Sequence, residues 1–371
     1  MAAPDLIIIG GGVIGAACAR SLSHQGLGVT VLEPGPDSGA ASEAAPGMLA
    51  PLVEAGEDDP ILSLAVRGRD LYHELAPALA EETGIDIGLR TDGILQLAFT
   101  EDEVDEAKHR IAWQRQMGFA SDWLTLDELG ELIPSVNPDA LGAAIASEDG
   151  GLRSTALRRA LLESAARSGA KIRRERATEI VIRDGRVTAV RTRRRSGRGI
   201  RCGAVVMAAG CWSGEIAGLP HPIFVKPIRG QVSAYRWPQD DPPVIVFGGG
   251  SYLVAREGEV LVGSTMEDVG FDASVTEAGT TQIASAAARV SPALAGLQPT
   301  RSWAGLRPMT PDGRPLLGVD PDIPNLWYAT GHGRAGILLA AITGELLTSL
   351  VVDAEIEQDL SPLAPERFWT E

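Results

Sequence analysis

The chain has 371 residues, with 33 Lys and Arg against 49 Asp and Glu, a formal net charge of −16 at pH 7 and 44% hydrophobic residues. That length suits about two domains, and the composition excludes wholesale disorder. Net acidity argues against nucleic-acid binding as a main role, and five His with three scattered Cys (Cys18, Cys202, Cys211) provide neither a metal cluster nor a disulfide framework.

The first element is Asp5–Ile9, an apolar run of the kind a buried parallel strand needs. A helical pattern follows Gly10–Gly15 and runs to His24. Val29–Leu32 is a second strand that closes on Glu33, which completes one β-α-β unit in about 30 residues. Leu6–Ala19 resembles a secretory signal only superficially, because Asp5 stands where a basic segment belongs and glycines interrupt the run. No run approaches the roughly 20 apolar residues of a spanning helix, so a cytoplasmic protein without a membrane segment is expected.

Helices are predicted over Ile61–Thr83 and Glu101–Gly118, with Arg90–Phe99 extended between them. Leu157–Ser168 reads as a helix. Strands follow over Lys171–Arg174, Ala177–Ile182 and Val187–Arg194, the last two joined by an Asp184-Gly185 hairpin signal. Residues 153–201 hold 16 basic and 4 acidic residues. The Arg191–Arg201 cluster has no aromatics for base stacking and is expected to be a solvated hairpin tip.

Further strands are predicted over Ala204–Ala209, Ile223–Tyr235, Val244–Phe247, Tyr252–Arg256 and Glu259–Gly263, then a helix over Glu277–Arg289. Asn325–Ala329 and the helix Ile337–Val352 return to the α/β style. The expected fold class is therefore α/β: a discontinuous Rossmann-like domain from 1–85, 150–220 and 305–371, and a second domain with a largely antiparallel sheet from 86–149 and 221–304.

Gly10-x-Gly12-x-x-Gly15 lies between a strand and a helix, the setting in which this spacing indicates a dinucleotide. The first glycine allows the tight turn, the second a close approach to pyrophosphate, and the third helix–strand packing. Glu33 is placed to accept from ribose hydroxyls, and no neighbouring Arg or Lys in the sequence would hold a 2′-phosphate. The motif leaves NAD or FAD open. Val205–Gly210 is a second strand-to-glycine approach. Gly331–Ile337 is a third, whose helix N-terminus suits the electron-rich edge of a reduced isoalloxazine.

Five blocks carry a resemblance: IIIGGGVIGAACA with Glu33, AASEAAPGMLAP (40–51), VVMAAGCWSG (205–214), SWAGLRPMTPDGRP (302–315) and GHGRAGILLAAITG (331–344). Together they resemble the D-amino acid oxidase superfamily over essentially the whole chain, most nearly its glycine oxidase branch linked to thiamine biosynthesis. The resemblance implies non-covalent FAD, since Pro308-Met309-Thr310 stands where some relatives carry an attaching cysteine. It implies cofactor contacts from Gly10, Gly12, Val13, Ile14, Gly15, Glu33, Pro34, Ser42, Gly47, Met48, Leu49, Val181, Ala209, Gly210, Trp212, Gly333, Arg334, Gly336, Ile337 and Leu338. A homotetramer is implied by the same likeness.

On that basis Arg307 is the expected grip on a substrate carboxylate, because a guanidinium binds it bidentately. Tyr252 would donate to the same carboxylate. Met266 and Gly250 would border the side-chain space, and Arg334 would lie between pocket and cofactor. His332 is read as structural or flavin-side, and no general base is required. Two departures from the branch stand out: Gly248-Gly249-Gly250 replaces bulkier residues, which would admit larger D-amino acids, and Pro46 replaces an alanine. The implied reaction is oxidation of glycine, sarcosine or short D-amino acids by hydride loss to flavin N5, with dioxygen reduced to hydrogen peroxide. The alternatives are a dehydrogenase feeding a quinone, an NAD-dependent dehydrogenase, and a flavoprotein subunit without activity of its own.

Overall fold

The computed structural model describes residues 5–35, 39–237, 243–256 and 258–369. Its first sheet has six strands in the order Leu316–Val319, Leu326–Thr330, Ala204–Met207, Leu6–Ile9, Val29–Leu32 and Lys171–Arg173. All neighbours are parallel except the first pair. The period-2 alternation of strand side chains assigns the two faces. Leu6 and Ile8 pack with the helices Val13–His24, Ser154–Arg167 and Gly336–Val351, whereas Ile7 and Ile9 pack with Ile180, Val190 and Ile200. Those three residues belong to a three-stranded sheet, Ala177–Arg183, Arg186–Thr192 and Arg195–Arg201, which covers the other face. Both faces of the central strands are therefore dry, which is why they read as continuous apolar runs.

The second sheet has nine strands, in the order Gly39–Ala40, Arg301–Met309, Lys226–Arg236, Glu259–Gly263, Ser251–Arg256, Ile245–Gly248, Ile94–Ala98, Gly142–Ala146 and Ser121–Leu124. Only the Arg301–Met309/Gly39–Ala40 and Ile245–Gly248/Ile94–Ala98 pairs are parallel. An α/β protein with a mainly parallel first sheet and a largely antiparallel second sheet is thus observed.

Several elements differ from the sequence reading. The long helix 61–83 is two helices, Leu62–Asp70 and Tyr72–Thr83. Arg195–Arg201 is a strand rather than a hairpin tip, paired Val190↔Ile200 so that Ile200 is buried while Arg195 and Arg198 stay in solvent. Arg301–Met309 was not recognised as a strand, because Gly305 and Pro308 interrupt its alternation. Nine residues of it nonetheless pair with Lys226–Arg236. Pro308 lies opposite Pro227, so neither missing N–H breaks an otherwise complete bond pair. The same strand runs across the boundary expected at 304/305 and belongs wholly to the nine-stranded sheet. Gly142–Ala146 escaped notice because an Ala-rich segment has little strand propensity.

Candidate active site

One cleft runs between the two sheets, from the Gly10–Gly12 turn to Tyr252 and Arg307, and encloses about 1660 Å³ of space with its open mouth included. Its lining joins the Gly10–Gly12 turn to Tyr252 and Arg307, so a dinucleotide and a small substrate would share one cleft.

At the dinucleotide end, the turn is fixed by sterics. Gly10 has φ +105°, and a Cβ on it would sit 2.3 Å from the Ala208 carbonyl oxygen. A Cβ on Gly15 would sit 2.0 Å from the Gly10 oxygen. Gly15 therefore shapes the turn without lining the cleft. The Val13–His24 helix has no cap from the Gly12 side chain; the Val13 N–H donates to Ser42 Oγ at 2.9 Å. Glu33 accepts from the N–H of Gly11 at 2.7 Å and of Gly35 at 3.1 Å, which holds its carboxylate at the edge of the cleft. The fold also brings Arg158 within 3.8 Å of Glu33, a neighbour invisible in the local sequence. That guanidinium is engaged, donating to Glu43 at 2.7 Å and to the Gly11 oxygen at 2.7 Å.

At the far end, the Gly336–Val351 helix also begins without a side-chain cap, with Gly336 and Ile337 on the cleft wall. His332 lines the same wall, buried, with Nε2 bonded to Thr343 at 3.0 Å and Nδ1 without a protein partner. Burial lowers its pKa to about 3, so the ring is neutral. Two helix N-termini without a cap from their own N-cap residue in one cleft, a glycine turn that a Cβ would fill and a carboxylate at the second strand end fit FAD.

The substrate end is built by strand register. Arg307 lies opposite Ile228, two residues beyond the Gly230↔Gly305 pair and on the same face. A Cβ at Gly230 would fall 2.0–2.4 Å from the guanidinium atoms, so the bare glycine is what lets Arg307 lie flat across the strand. A Cβ at Gly305 would fall 2.4 Å from that of Ala44 on the cofactor side. Arg307 donates to the Thr265 carbonyl at 3.3 Å and to Ser264 Oγ. Burial lowers its pKa, but a guanidinium keeps its charge. Tyr252 is buried opposite Gly263, where a Cβ would come within 2.7 Å of the phenol oxygen. Burial raises its pKa, so it stays a proton donor.

Of the expected site residues, Gly10, Gly12, Val13, Ile14, Glu33, Pro34, Ser42, Met48, Ala209, Gly210, Trp212, Gly333, Arg334, Gly336, Ile337, Tyr252 and Arg307 line this cleft. Gly47, Leu49 and Leu338 lie behind its wall rather than on it. A Cβ at Gly47 would meet the Leu152 oxygen at 2.0 Å, and Leu49 is fully buried. Val181 is displaced from the site; Ala177, four residues earlier on the same strand, lines the cleft in its place. Met266 is 53% exposed and off the wall.

Gly250 is also outside the cleft. With Gly249 it forms the two-residue turn between Gly248 and Ser251, at φ +58° and +79°, and a Cβ on it would meet nothing within 4 Å. The glycines there serve a tight hairpin, not an enlarged pocket. Gly250→Ala is therefore expected to cost about 1 kcal/mol in stability and leave the ranking of amino-acid substrates unchanged, as thermal melts and a substrate panel would show.

Sequence reasoning missed Gly230, Ser264 and Glu54. Glu54, in an undistinguished acidic stretch, pairs with Arg334 at 2.8 Å across the cleft mouth. Pro46 lines the cleft, and its carbonyl accepts from Arg256 at 2.8 Å.

Behind Arg307 lies a second polar group. Glu267 accepts from Thr265 Oγ1 at 2.5 Å, from Gln231 at 2.7 Å and from the buried Arg229 at 2.5 Å. Burial works to raise the Glu267 pKa, but those three donors outweigh it and hold it at about 2. The folded pKa is thus below that of the unfolded chain. Its stabilisation is complete above about pH 4.5 and disappears as pH falls toward 2. Urea unfolding of wild type and Glu267→Gln should differ by about 3 kcal/mol above pH 5, and the gap should shrink between pH 4.5 and 2.

Comparison with known proteins agrees with this geometry. Residues 5–350 match the model of the DAO family, described as FAD dependent oxidoreductase. The chain is 35% identical to the glycine oxidase of Geobacillus kaustophilus (strain HTA426), over 98% of this chain and 97% of that one. It is 36% identical to the bifunctional protein ThiO/ThiG of Nostoc sp., over 96% of this chain but 54% of that one. The crystal structure of glycine oxidase from Geobacillus kaustophilus superposes with a TM-score of 0.92 at 34% identity, covering 99% of each chain. Among the described residues, no helix is long and apolar enough to cross a membrane and no metal-binding cluster of His, Cys, Asp or Glu occurs.

Proposed function

We propose a substrate and a mechanism from one premise: the chain belongs to the DAO family of FAD-dependent oxidoreductases. It is an FAD-dependent amino acid oxidase. Its substrate is glycine or a small congener such as sarcosine or a short D-amino acid. The overall reaction takes amino acid, dioxygen and water to 2-oxo acid, hydrogen peroxide and the released amine, which is ammonia from glycine or a D-amino acid and methylamine from sarcosine. The observation that carries this reading is the guanidinium of Arg307, laid over Gly230 beside the buried Tyr252 in the same cleft as the cofactor cradle.

Arg307 binds the substrate carboxylate with two parallel N–H donors, and the Tyr252 phenol donates to one of the same oxygens. Two fixed contacts on a small zwitterion leave its Cα little freedom, so position accounts for most of what the protein contributes. FAD, when bound, supplies the two-electron acceptor for the Cα–H. Gly10, Gly12 and the helix start at Val13 would hold its pyrophosphate, Glu33 its ribose, and the helix start at Gly336 its electron-rich ring edge. His332 is buried and held neutral by that burial, so it is not the base for a substrate ammonium group. Tyr252 and the apolar Met48 and Val232 wall shield the reacting end from water. The chain's likeness to glycine oxidases at about 35% identity supports this substrate class, and its likeness to ThiO/ThiG supports a place in thiamine biosynthesis.

Anaerobic addition of glycine or D-alanine to the yellow protein is expected to bleach its visible absorbance. Colour retained through glycine, sarcosine and both enantiomers of the common amino acids would reject the reading. In air, one peroxide per substrate consumed separates an oxidase from a dehydrogenase that passes electrons to a quinone.

A further inference from the structure

Three polar groups meet at the inner end of the cleft. Arg307 donates through Nη2 to the Ser264 hydroxyl, and the Tyr252 phenol lines the same end of the cleft. Ser264 itself lines the cleft. One short side chain is therefore bonded to Arg307 on the same cleft wall as both groups proposed to hold the carboxylate.

We propose that Ser264 is the third member of the carboxylate clamp, donating its hydroxyl proton to the substrate carboxylate that Arg307 and Tyr252 grip. A hydroxyl carries one proton and two lone pairs and turns freely about its C–O bond. In the empty clamp its oxygen accepts from Arg307, as a carboxylate oxygen would. When a carboxylate arrives, the serine proton turns to it and the guanidinium is not left without an acceptor at any stage. The clamp is thus held in its binding geometry beforehand, which lowers the ordering cost of binding.

Ser264 is held there from the next residue. Thr265 is buried; its hydroxyl accepts from the Gln231 N–H at 3.0 Å and donates to Glu267 at 2.5 Å, and its carbonyl takes the second Arg307 donor. Glu267 is fixed in turn by Arg229, whose backbone also exchanges N–H···O bonds with Glu267 at 2.9 and 3.0 Å. The backbone that carries Ser264 cannot shift without breaking this set.

The inference rests on the reading that Arg307 holds the carboxylate, and the test separates the two. Acetate, which carries the carboxylate alone, is titrated into the FAD-loaded protein and followed by the change in visible flavin absorbance, alongside glycine kinetics. Ser264→Ala is expected to raise the acetate Kd and the glycine KM about 10-fold. Its kcat should stay within about 2-fold and its ligand-free spectrum should not change, since the reacting atoms are untouched. Ser264→Thr, which keeps the hydroxyl, should restore both constants to within about 3-fold, whereas Ser264→Cys, similar in size but a weak donor, should behave as the alanine variant. Unchanged acetate and glycine constants in Ser264→Ala, alongside an Arg307→Ala that no longer binds acetate, overturn the role of Ser264 and leave that of Arg307. An Arg307→Ala that binds acetate as wild type does overturns both.

Discussion

Gly230→Ala is expected to lower kcat/KM for glycine by about 100- to 1,000-fold while the purified protein stays yellow. The added methyl group would stand 2.0 Å from Arg307 Nη1 and 2.4 Å from its Cζ and Nη2, well inside van der Waals contact. Lys226–Arg236 is paired on both sides, with Arg301–Met309 and with Glu259–Gly263, so the strand cannot back away. The guanidinium must move instead, and its bonds to Ser264 and the Thr265 carbonyl go with it. Displacing one partner of a desolvated charge pair typically costs about 2–5 kcal/mol, the source of the fold-change given. The loss should be shared by every carboxylate substrate, because the methyl group blocks the common grip rather than the side-chain space. A Gly230→Ala protein with wild-type kcat/KM would remove Arg307 from the substrate site.

The second large effect is expected at Gly12. Gly12→Ala should fold normally and purify colourless, with FAD affinity reduced about 100-fold or more. Gly12 has φ −64° and ψ −178°, which alanine adopts freely, and a Cβ there would meet only Ser42 Oγ, at 3.2 Å. The backbone thus tolerates the substitution, and what the methyl group takes is the space a pyrophosphate needs above the helix start. Gly10→Ala forms the contrast. Its φ of +105° and the 2.3 Å approach to the Ala208 oxygen place the damage in the fold itself, so stability and colour should fail together. Titration of FAD into the two apoproteins, with circular dichroism and thermal melts, separates the cases. Yellow Gly12→Ala with an unchanged FAD Kd would contradict the assignment of that turn to the phosphates.

Much of the cofactor end was legible from the sequence because its determinants are local. Gly10, Gly12, Gly15 and Glu33 lie within 24 residues, and the turn they form needs no distant partner to be recognised. Buried strands such as Leu6–Ile9 and Ala204–Met207 declare themselves as apolar runs because both their faces are covered. The five blocks carried the family for the same reason, since each is a short segment with its own spacing.

The substrate end was legible only in part. Arg307 and Tyr252 stand inside recognisable segments, but the residues that make them a clamp are on other strands. Gly230 is set against Arg307 by the pairing of Lys226–Arg236 with Arg301–Met309, and Ser264 reaches Arg307 from just beyond the end of Glu259–Gly263. Glu54 meets Arg334 across 280 residues. Met266 and Gly250 were misplaced because proximity in sequence to Tyr252 or Ser264 does not fix which way a side chain or turn faces. Each strand step reverses the side, and a two-residue hairpin carries its tip away from the sheet. The sequence alone determined the fold class, the dinucleotide turn and the family, whose signals are short-range spacing and burial on both faces. Tertiary structure decided which side chains share the cleft, because that depends on strand register and loop contacts between segments 34 to 280 residues apart, which leave no mark on any one of them.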